Sequence, residues 1–432
     1  MDRKSQYRSS AIVSVGCVCA GSILAWTSPV LLQLSDVAST IQPPLTETEG
    51  GLVGSIVAIG AITSAIPSGL IADKLGLKRT LLLLSAIFAV SCLVVGSSGS
   101  LKILLFGRFL GGFASGAACV CIPMYISEIA DVEIRGILGS FFQLGFCLGI
   151  LGVNCIGALT TWRTLSYILT TLPVLYAVLL FTIKDPPRHQ RNRSDGCSIR
   201  SVLLKENYKP LLVSLGLVAF QQLSGINAII FYTSPIFSAS KSNLSPQVSS
   251  IIVAAVQLVF SIISASIIEK FKRTFYLSVS GSLMFVSLLV LGSYFHFHEI
   301  LADFSFIPLI SLIVFIIAYC VGFGPLPWLM LAEMFQPSFK STGCGIATMF
   351  NWTMVFAVTA AFPLVRNKYG DNFTFYLFAA FNLFAVLFTM SYVPETRGKT
   401  SDEIRNCFVG PDVDYEMNIE GKHHHKAESR RF

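Results

Sequence analysis

Twelve stretches of this chain stay apolar for about the 20 residues a helix needs to cross a bilayer. They run over Ile12–Leu32, Leu52–Ala72, Thr80–Gly96, Ile103–Met124, Ile137–Ala158, Leu165–Ile183, Leu211–Tyr232, Ile251–Ile268, Phe275–Phe295, Phe306–Met330, Gly345–Val365 and Thr374–Val393. In lipid every backbone N–H and C=O must be paired inside the protein, so such runs fold as helices. Composition agrees. Hydrophobic residues make up 53% of the 432 positions and charged residues only 13%, against about 25% charged in soluble domains. A soluble chain could not cover its surface with so few charges. A disordered chain, a disulfide scaffold and a coiled coil are excluded on the same ground. The first run follows Arg3, Lys4 and Arg8, yet it is too long for a signal-peptide core and reads as a retained helix.

The net charge of +7 sits in short clusters between the runs. That is the pattern of membrane topology, not of a phosphate-binding face, so no nucleic-acid partner is expected. All but six of the 31 Lys and Arg lie in the N-terminal segment, the even-numbered connections or the tail. The exceptions are Lys102, Arg163, Lys241, Arg366 and Lys368 in odd-numbered connections, and Arg108 inside the fourth run. The positive-inside bias then places both termini in the cytoplasm. Two glycosylation sequons, at Asn243 and Asn372, fall on the opposite side and point to the plasma membrane. The eleven cysteines lie mostly within apolar runs, without metal-ligand spacing, and read as buried free thiols. Neither a metal nor a cofactor is expected.

The longest basic connection, Lys184 to Lys209, divides the chain. The halves are 1–187 and 210–395, with a linker over 188–209 and a cytoplasmic tail over 396–432. The halves echo each other. Asp73 and Arg79 after the second run correspond to Glu269 and Arg273 after the eighth. Glu128 and Arg135 after the fourth correspond to Glu333 and Lys340 after the tenth, seven residues apart in each case. Carboxylates and basic groups at helix ends can pair across neighbours, closing the inner side in one state and releasing it in another. These eight residues are the candidate gate. The alternative is topology determinants and surface pairs worth about 0–1 kcal/mol each.

Five motifs occur in order: Gly69 to Arg79; Pro123-Met-Tyr125-Ile-Ser-Glu128 with Arg135-Gly136; Gln221-Gln222-Leu-Ser224-Gly225-Ile-Asn227; Gly324-Pro325-Leu-Pro327-Trp328; and Pro394-Glu395-Thr396-Arg397-Gly398-Lys399. Together they resemble the sugar porter branch of the major facilitator superfamily, which includes the facilitative glucose transporters. Ala25 to Leu31 is similar to the arthropod trehalose-transporter-like subgroup. The resemblance implies an all-α membrane protein, with twelve transmembrane helices in two six-helix halves that transport by alternating access. The chain departs from the family pattern at Leu77, at Asp131 where a proline is common, and at Lys184-Asp185-Pro186-Pro187-Arg188.

A sugar is an uncharged ring of hydroxyls, and Gln or Asn carries both an acceptor and a donor for such groups. Buried amides are costly in a membrane unless satisfied. Gln221, Gln222 and Asn227 lie within two turns of the seventh run, Gln143 in the fifth and Gln257 in the eighth. By the resemblance these five and Trp328 occupy sugar-binding positions, and Tyr319 and Cys320 line the cavity. Trp352, beside Asn351, is a further candidate. Alternatives stay open: Gln143 as an interhelical hydrogen bond, Trp328 as a packing aromatic. Gly322-Phe-Gly324-Pro325-Leu-Pro327 cannot form a regular helix, because proline removes a donor and clashes with the preceding turn. Gly324, Pro325 and Pro327 are therefore the candidate hinge over the sugar.

Proton-coupled porters of this kind carry an acid in the first helix. Ile12–Leu32 has no Asp, Glu or His, so uniport of a hexose or trehalose by a monomer is expected. The alternatives are a proton-coupled symporter and a transporter-like sugar receptor. No nucleotide loop, metal cluster or catalytic triad stands in the runs, so an enzyme is not expected. His423-His424-His425 reads as a basic tail.

Overall fold

The computed structural model describes residues 2–34, 45–131, 133–185, 205–230, 245–297, 300, 304, 306–335, 339–399 and 401–409. Among these residues there is no strand. Twelve helices are long and apolar enough to cross a membrane: α1 Arg3–Leu31, α2 Glu49–Leu75, α3 Leu77–Gly96, α4 Leu101–Ile129, α5 Arg135–Gly157, α6 Trp162–Phe181, α7 Asn207–Ile230, α8 Gln247–Ile267, α9 Arg273–His296, α10 Ile307–Leu331, α11 Thr342–Phe362 and α12 Leu364–Tyr392. A short amphipathic helix, α13, follows at Ser401–Val409. Most of the 188–209 linker, Asn243 and the tail beyond Val409 lie outside the described residues.

Local chemistry starts several helices. Thr46 and Glu49 form a reciprocal capping box, each side chain bonded to the other's backbone N–H, which satisfies two otherwise orphaned donors. The Thr161 and Ser245 hydroxyls cap α6 and α8 by accepting from Thr164 N and Val248 N at 3.4 Å.

Three helices are broken. In α1 the pieces Arg3–Ala25 and Thr27–Leu34 meet at Trp26. Pro29 has no N–H to return to the Ala25 carbonyl, so the turn cannot close. In α7 the break falls at Ser224–Gly225, where Gly225 takes φ +89°, a left-handed conformation that glycine adopts without steric cost. In α10 the pieces are Ile307–Val321 and Leu326–Met334.

Two boundaries differ from the reading of apolar runs. The first helix begins at Arg3, not Ile12. Its polar extension is held by Gln6, which donates to Asp131 Oδ2 at 2.9 Å and accepts from Asp131 N at 3.0 Å, and by an Arg3–Glu133 ion pair at 2.5 Å. Asp131, where the family pattern has proline, is thus the anchor of the first helix. The connection expected between Val365 and Thr374 contracts to a turn at Gly370, φ +89°, inside one helical stretch, Lys340–Tyr392. Arg366 pairs with Asp371 across that turn.

Each half has its own core. One is built from α1 to α6, with Phe88, Tyr125 and Tyr176 at its centre. The other is built from α7 to α13, with Phe315, Phe323 and Phe375. Helices α1, α4, α7 and α10 are the most buried. Helices α3, α6, α9 and α12 turn Leu83, Val178, Val286 and Met390 outward, as suits a lipid-facing rim. Close packing of α2 on α4 depends on small residues, since a side chain at Gly112 would stand 2.0 Å from the Val57 carbonyl. The halves meet chiefly through α5 on α8 and α2 on α11.

Candidate functional site

The amides of α7 form a chain of hydrogen bonds at the centre of the bundle. Gln221 Nε2 donates to the carbonyls of Phe323 at 2.6 Å and Gly324 at 3.1 Å. These are carbonyls that the break in α10 releases from helical pairing. Gln222 Nε2 donates to Asn351 Oδ1 of α11 at 2.7 Å, and Asn227 donates to Gln222 Oε1. Gln221, Gln222 and Asn351 are buried, at 1%, 4% and 3% exposure. The breaks in α7 and α10 therefore lie against each other, joined by one side chain. Asn351 enters the sequence reading only as the neighbour of Trp352. The signal that singles out Gln143, a buried amide in an apolar run, applies to it equally.

Gln143 of α5 donates to the Cys147 thiol at 3.5 Å, an i,i+4 contact on its own helix. Gln257 of α8 is buried, and its backbone carbonyl accepts from the Cys320 thiol at 3.5 Å. Tyr319 is buried beside Gln221. Trp352 is packed into the core of the first half although it belongs to the second. Trp328 stacks obliquely on Phe142, ring centroids 5.3 Å apart. It lines a narrow cleft with Pro123, Ser127, Arg135 and Glu333, so it stands between the amide chain and an ionic cluster at one end of the bundle.

That end, the basic face, carries Arg135, Arg273, Lys340 and Arg397. Arg273 and Glu333, at 4% and 8% side-chain exposure, form an ion pair at 2.8 Å. The Thr396 hydroxyl donates to the other Glu333 oxygen at 2.8 Å. Glu269 stands 3.7 Å from Arg273 and 4.0 Å from Arg397. Glu395 accepts from the backbone N–H groups of Arg273, Thr274 and Arg397. Burial raises its carboxyl, but these bonds outweigh that and hold it below the usual range. Burial pushes Glu333 up, against the pull of Arg273, Thr396 and Arg135, with Glu269 adding to the rise. Burial likewise pushes Lys340 down.

The halves touch here. Lys340 Nζ donates to Ser127 Oγ at 2.8 Å. The Glu269 carboxylate fills the space where a Cβ at Gly136 would stand. Lys340 feels the charges of Glu128 and Arg135 of the other half. Glu333 feels Arg135, while it keeps its ion pair with Arg273 of its own half. Asp73, Arg79 and Glu128 are exposed at the rim. Ser127, Thr396 and Glu395 were not candidates; Ser127 and Thr396 carry no charge to mark them.

Arg108 was left without a role by the sequence. It is 1% exposed. Its Nη1 donates to the Ile23 carbonyl at 2.5 Å and its Nε to the Val53 carbonyl at 3.3 Å. Its guanidinium lies 5.0 Å over the Trp26 ring, at the break in α1. A lone charge inside an apolar run is a signal in itself. Here it ties α1 and α2 to α4 through backbone carbonyls and an aromatic face.

The Sugar (and other) transporter family model matches residues 10–195 and 182–408. The facilitated trehalose transporter of Culex quinquefasciatus is 32% identical over 446 residues, covering 94% of this chain and 86% of that protein. The corresponding transporter of Anopheles gambiae is 31% identical over 94% of this chain, which spans 56% of that protein's length. Trehalose transporter 1 of Drosophila melanogaster is 32% identical, and the chain spans 52% of it. The chain thus covers about half the length of several curated relatives. Among solved structures, the proton:xylose symporter XylE bound to 6-bromo-6-deoxy-D-glucose superposes with TM-score 0.81 at 21% identity, over 94% of this chain and 100% of that one. The inward-open form of XylE from E. coli superposes at 0.74 and 22% identity, over 93% of this chain and 99% of that one. With twelve spans in two halves, ordered motifs and a family match along nearly the whole length, the chain belongs to the Sugar (and other) transporter family and has the fold of the major facilitator transporters.

Proposed function

We propose that this chain moves an uncharged sugar, a hexose or trehalose, across its membrane by alternating access and without proton coupling. The observation that carries the reading is Gln221, whose amide bridges the two carbonyls freed by the break in α10. A sugar hydroxyl that competes for that amide loosens the hinge at Gly324, Pro325 and Pro327. Binding and helix movement then become one event. Gln143, Gln222, Asn227, Gln257, Tyr319, Trp328 and Trp352 complete the proposed sugar site. The printed names of the relatives, facilitated trehalose transporters, point the same way.

The surroundings of Arg108 support the uniport reading. Its contacts are carbonyls and a ring, and α1 supplies no carboxylate to exchange a proton with it. The proton:xylose symporter among the structural neighbours gives the competing reading. The ionic cluster serves as the inner gate: Glu269, Arg273, Glu333 and Lys340 of the second half with Asp73, Arg79, Glu128 and Arg135 of the first. In this arrangement the basic face is cytoplasmic, both termini are inside, and the halves 1–187 and 210–395 are the moving bodies of a monomer in the plasma membrane. Asn243 and Asn372 are then the glycan acceptors, which deglycosylation of surface-labelled protein reads directly.

The test is tracer uptake into proteoliposomes with trehalose, glucose and fructose in parallel, each with and without an inward proton gradient. Saturable equilibration indifferent to the gradient is expected. Accumulation driven by the gradient would make the protein a symporter. Saturable binding without flux would make it a receptor.

A further inference from the structure

Where α5 of the first half meets α8 and α10 of the second, two thiols stand in the contact. Cys147 Sγ of α5 lies 3.3 Å from Ser261 Oγ of α8. Cys320 Sγ of α10 donates at 3.5 Å to the carbonyl of Gln257, one turn before Ser261 on α8. All three are buried, Cys147 and Cys320 completely and Ser261 to 3% exposure. The thiols of Cys17, Cys19, Cys92, Cys119 and Cys121 all sit on α1, α3 and α4, within one half. Cys147 and Cys320 belong to opposite halves and meet adjacent turns of α8.

Their present partners are weak. Cys147 accepts from Gln143 and Cys320 donates to the Gln257 carbonyl, each at 3.5 Å, and thiols are poor donors and acceptors. Soft ions take thiol sulfur far more strongly. Among the described residues there is no group of three His, Cys, Asp or Glu that could hold a metal, so a four-ligand zinc site is excluded here. Two sulfurs from opposite sides suit an ion that prefers two ligands in line.

We propose that Cys147 and Cys320, set against adjacent turns of α8, form a binding site for a soft thiophilic cation that bridges the two halves. With Hg²⁺ as the ion, two S–H bonds break and two S–Hg bonds form. Both protons leave to solvent and no oxidation state changes. The product, S–Hg–S, is neutral, so it avoids the cost of burying a charge. Ag⁺ gives a neutral site if one thiol keeps its proton. An occupied site holds α5 and α10 at a fixed spacing, and any motion that separates the halves there must break a metal–sulfur bond. The proposal does not depend on which sugar, if any, the chain carries.

The experiment reads mercury, not transport. Purified protein is loaded with Hg²⁺ and dialysed against a small excess of glutathione, which strips single thiols before paired ones. Retained mercury per chain is then counted by mass spectrometry for wild type, Cys147→Ser, Cys320→Ser and the double variant. Each single variant is expected to retain one ion fewer than wild type, and the double variant no fewer than either single. Losses that add in the double variant would mean two independent thiols and overturn the proposal. Equal retention in all four proteins would overturn it too. Cys407→Ser, at an exposed thiol on α13, should leave the count unchanged. Alanine replaces serine wherever gel filtration shows a serine variant to be misfolded.

Discussion

Gln221 illustrates what one side chain can decide in this molecule. Its amide satisfies the Phe323 and Gly324 carbonyls, which the Gly–Pro sequence of α10 leaves without helical donors. Gln221→Ala would strand both in a dry interior at about 1–3 kcal/mol each. Sugar flux is expected to fall at least about tenfold, the equivalent of 1.4 kcal/mol, with folded protein still recovered. Tracer uptake beside gel filtration checks both halves of that statement, and normal saturation kinetics would remove Gln221 from the site. Arg108 works by similar chemistry at the other break. A guanidinium whose fork reaches two carbonyls and whose face meets Trp26 is not replaceable by lysine.

At the scale of the element, the breaks in α1, α7 and α10 matter more than the regular turns around them. A straight helix can only tilt, whereas a broken one can also bend at the break, and irregular backbone at membrane depth needs shelter from protein or a cavity. Gly225 is the pivot of α7, at φ +89°. An added Cβ would stand 2.9 Å from the Phe378 ring, and the left-handed conformation costs an L-residue about 1–2 kcal/mol. Gly225→Ala is therefore expected to lower the midpoint of thermal unfolding and to slow flux more than it weakens sugar binding. Intrinsic fluorescence on heating and the comparison of KM with maximal rate measure the two effects. An unchanged midpoint would mean that α7 relaxes into a continuous helix.

For the whole molecule, the proposed gate would make the basic face responsive to pH. Glu333 is buried between Arg273 and Thr396, and burial raises its carboxyl above the ordinary carboxylate value. The closed face therefore binds this proton more tightly than an open face, where Glu333 meets water. By linkage, its contribution to closure is complete below the ordinary carboxylate pKa and is lost as pH rises through the raised one. Lys340, pushed down by burial, acts in the other sense: it favours closure at alkaline pH and loses that contribution as pH falls through its lowered value. Acidification in the carboxylate range is expected to close the basic face, and Glu333→Gln to remove that dependence. Trp328 offers the readout, because it lines the cleft beside Glu333. The other three of the four tryptophans are 2–4% exposed. Acrylamide quenching should fall with pH in wild type and stay flat in Glu333→Gln.

The twelve spans, the two halves and the break in α10 were legible in the amino-acid sequence because each depends on local properties. Apolar run length, the side on which Lys and Arg collect, and proline's missing N–H act within a few residues of the chain. The helix ends were less legible: α1 starts at Arg3 because Gln6 and Arg3 find Asp131 and Glu133, more than a hundred residues away. The α7 amides were visible as a set, yet not their partners. Which carbonyls Gln221 meets, that Asn351 receives Gln222, that Lys340 reaches Ser127, and that Cys147 and Cys320 meet adjacent turns of α8 are contacts between helices far apart in sequence. Only the tertiary structure decides them, because they depend on how each helix is rotated about its axis against its neighbours, and no local pattern in an all-apolar run encodes that rotation.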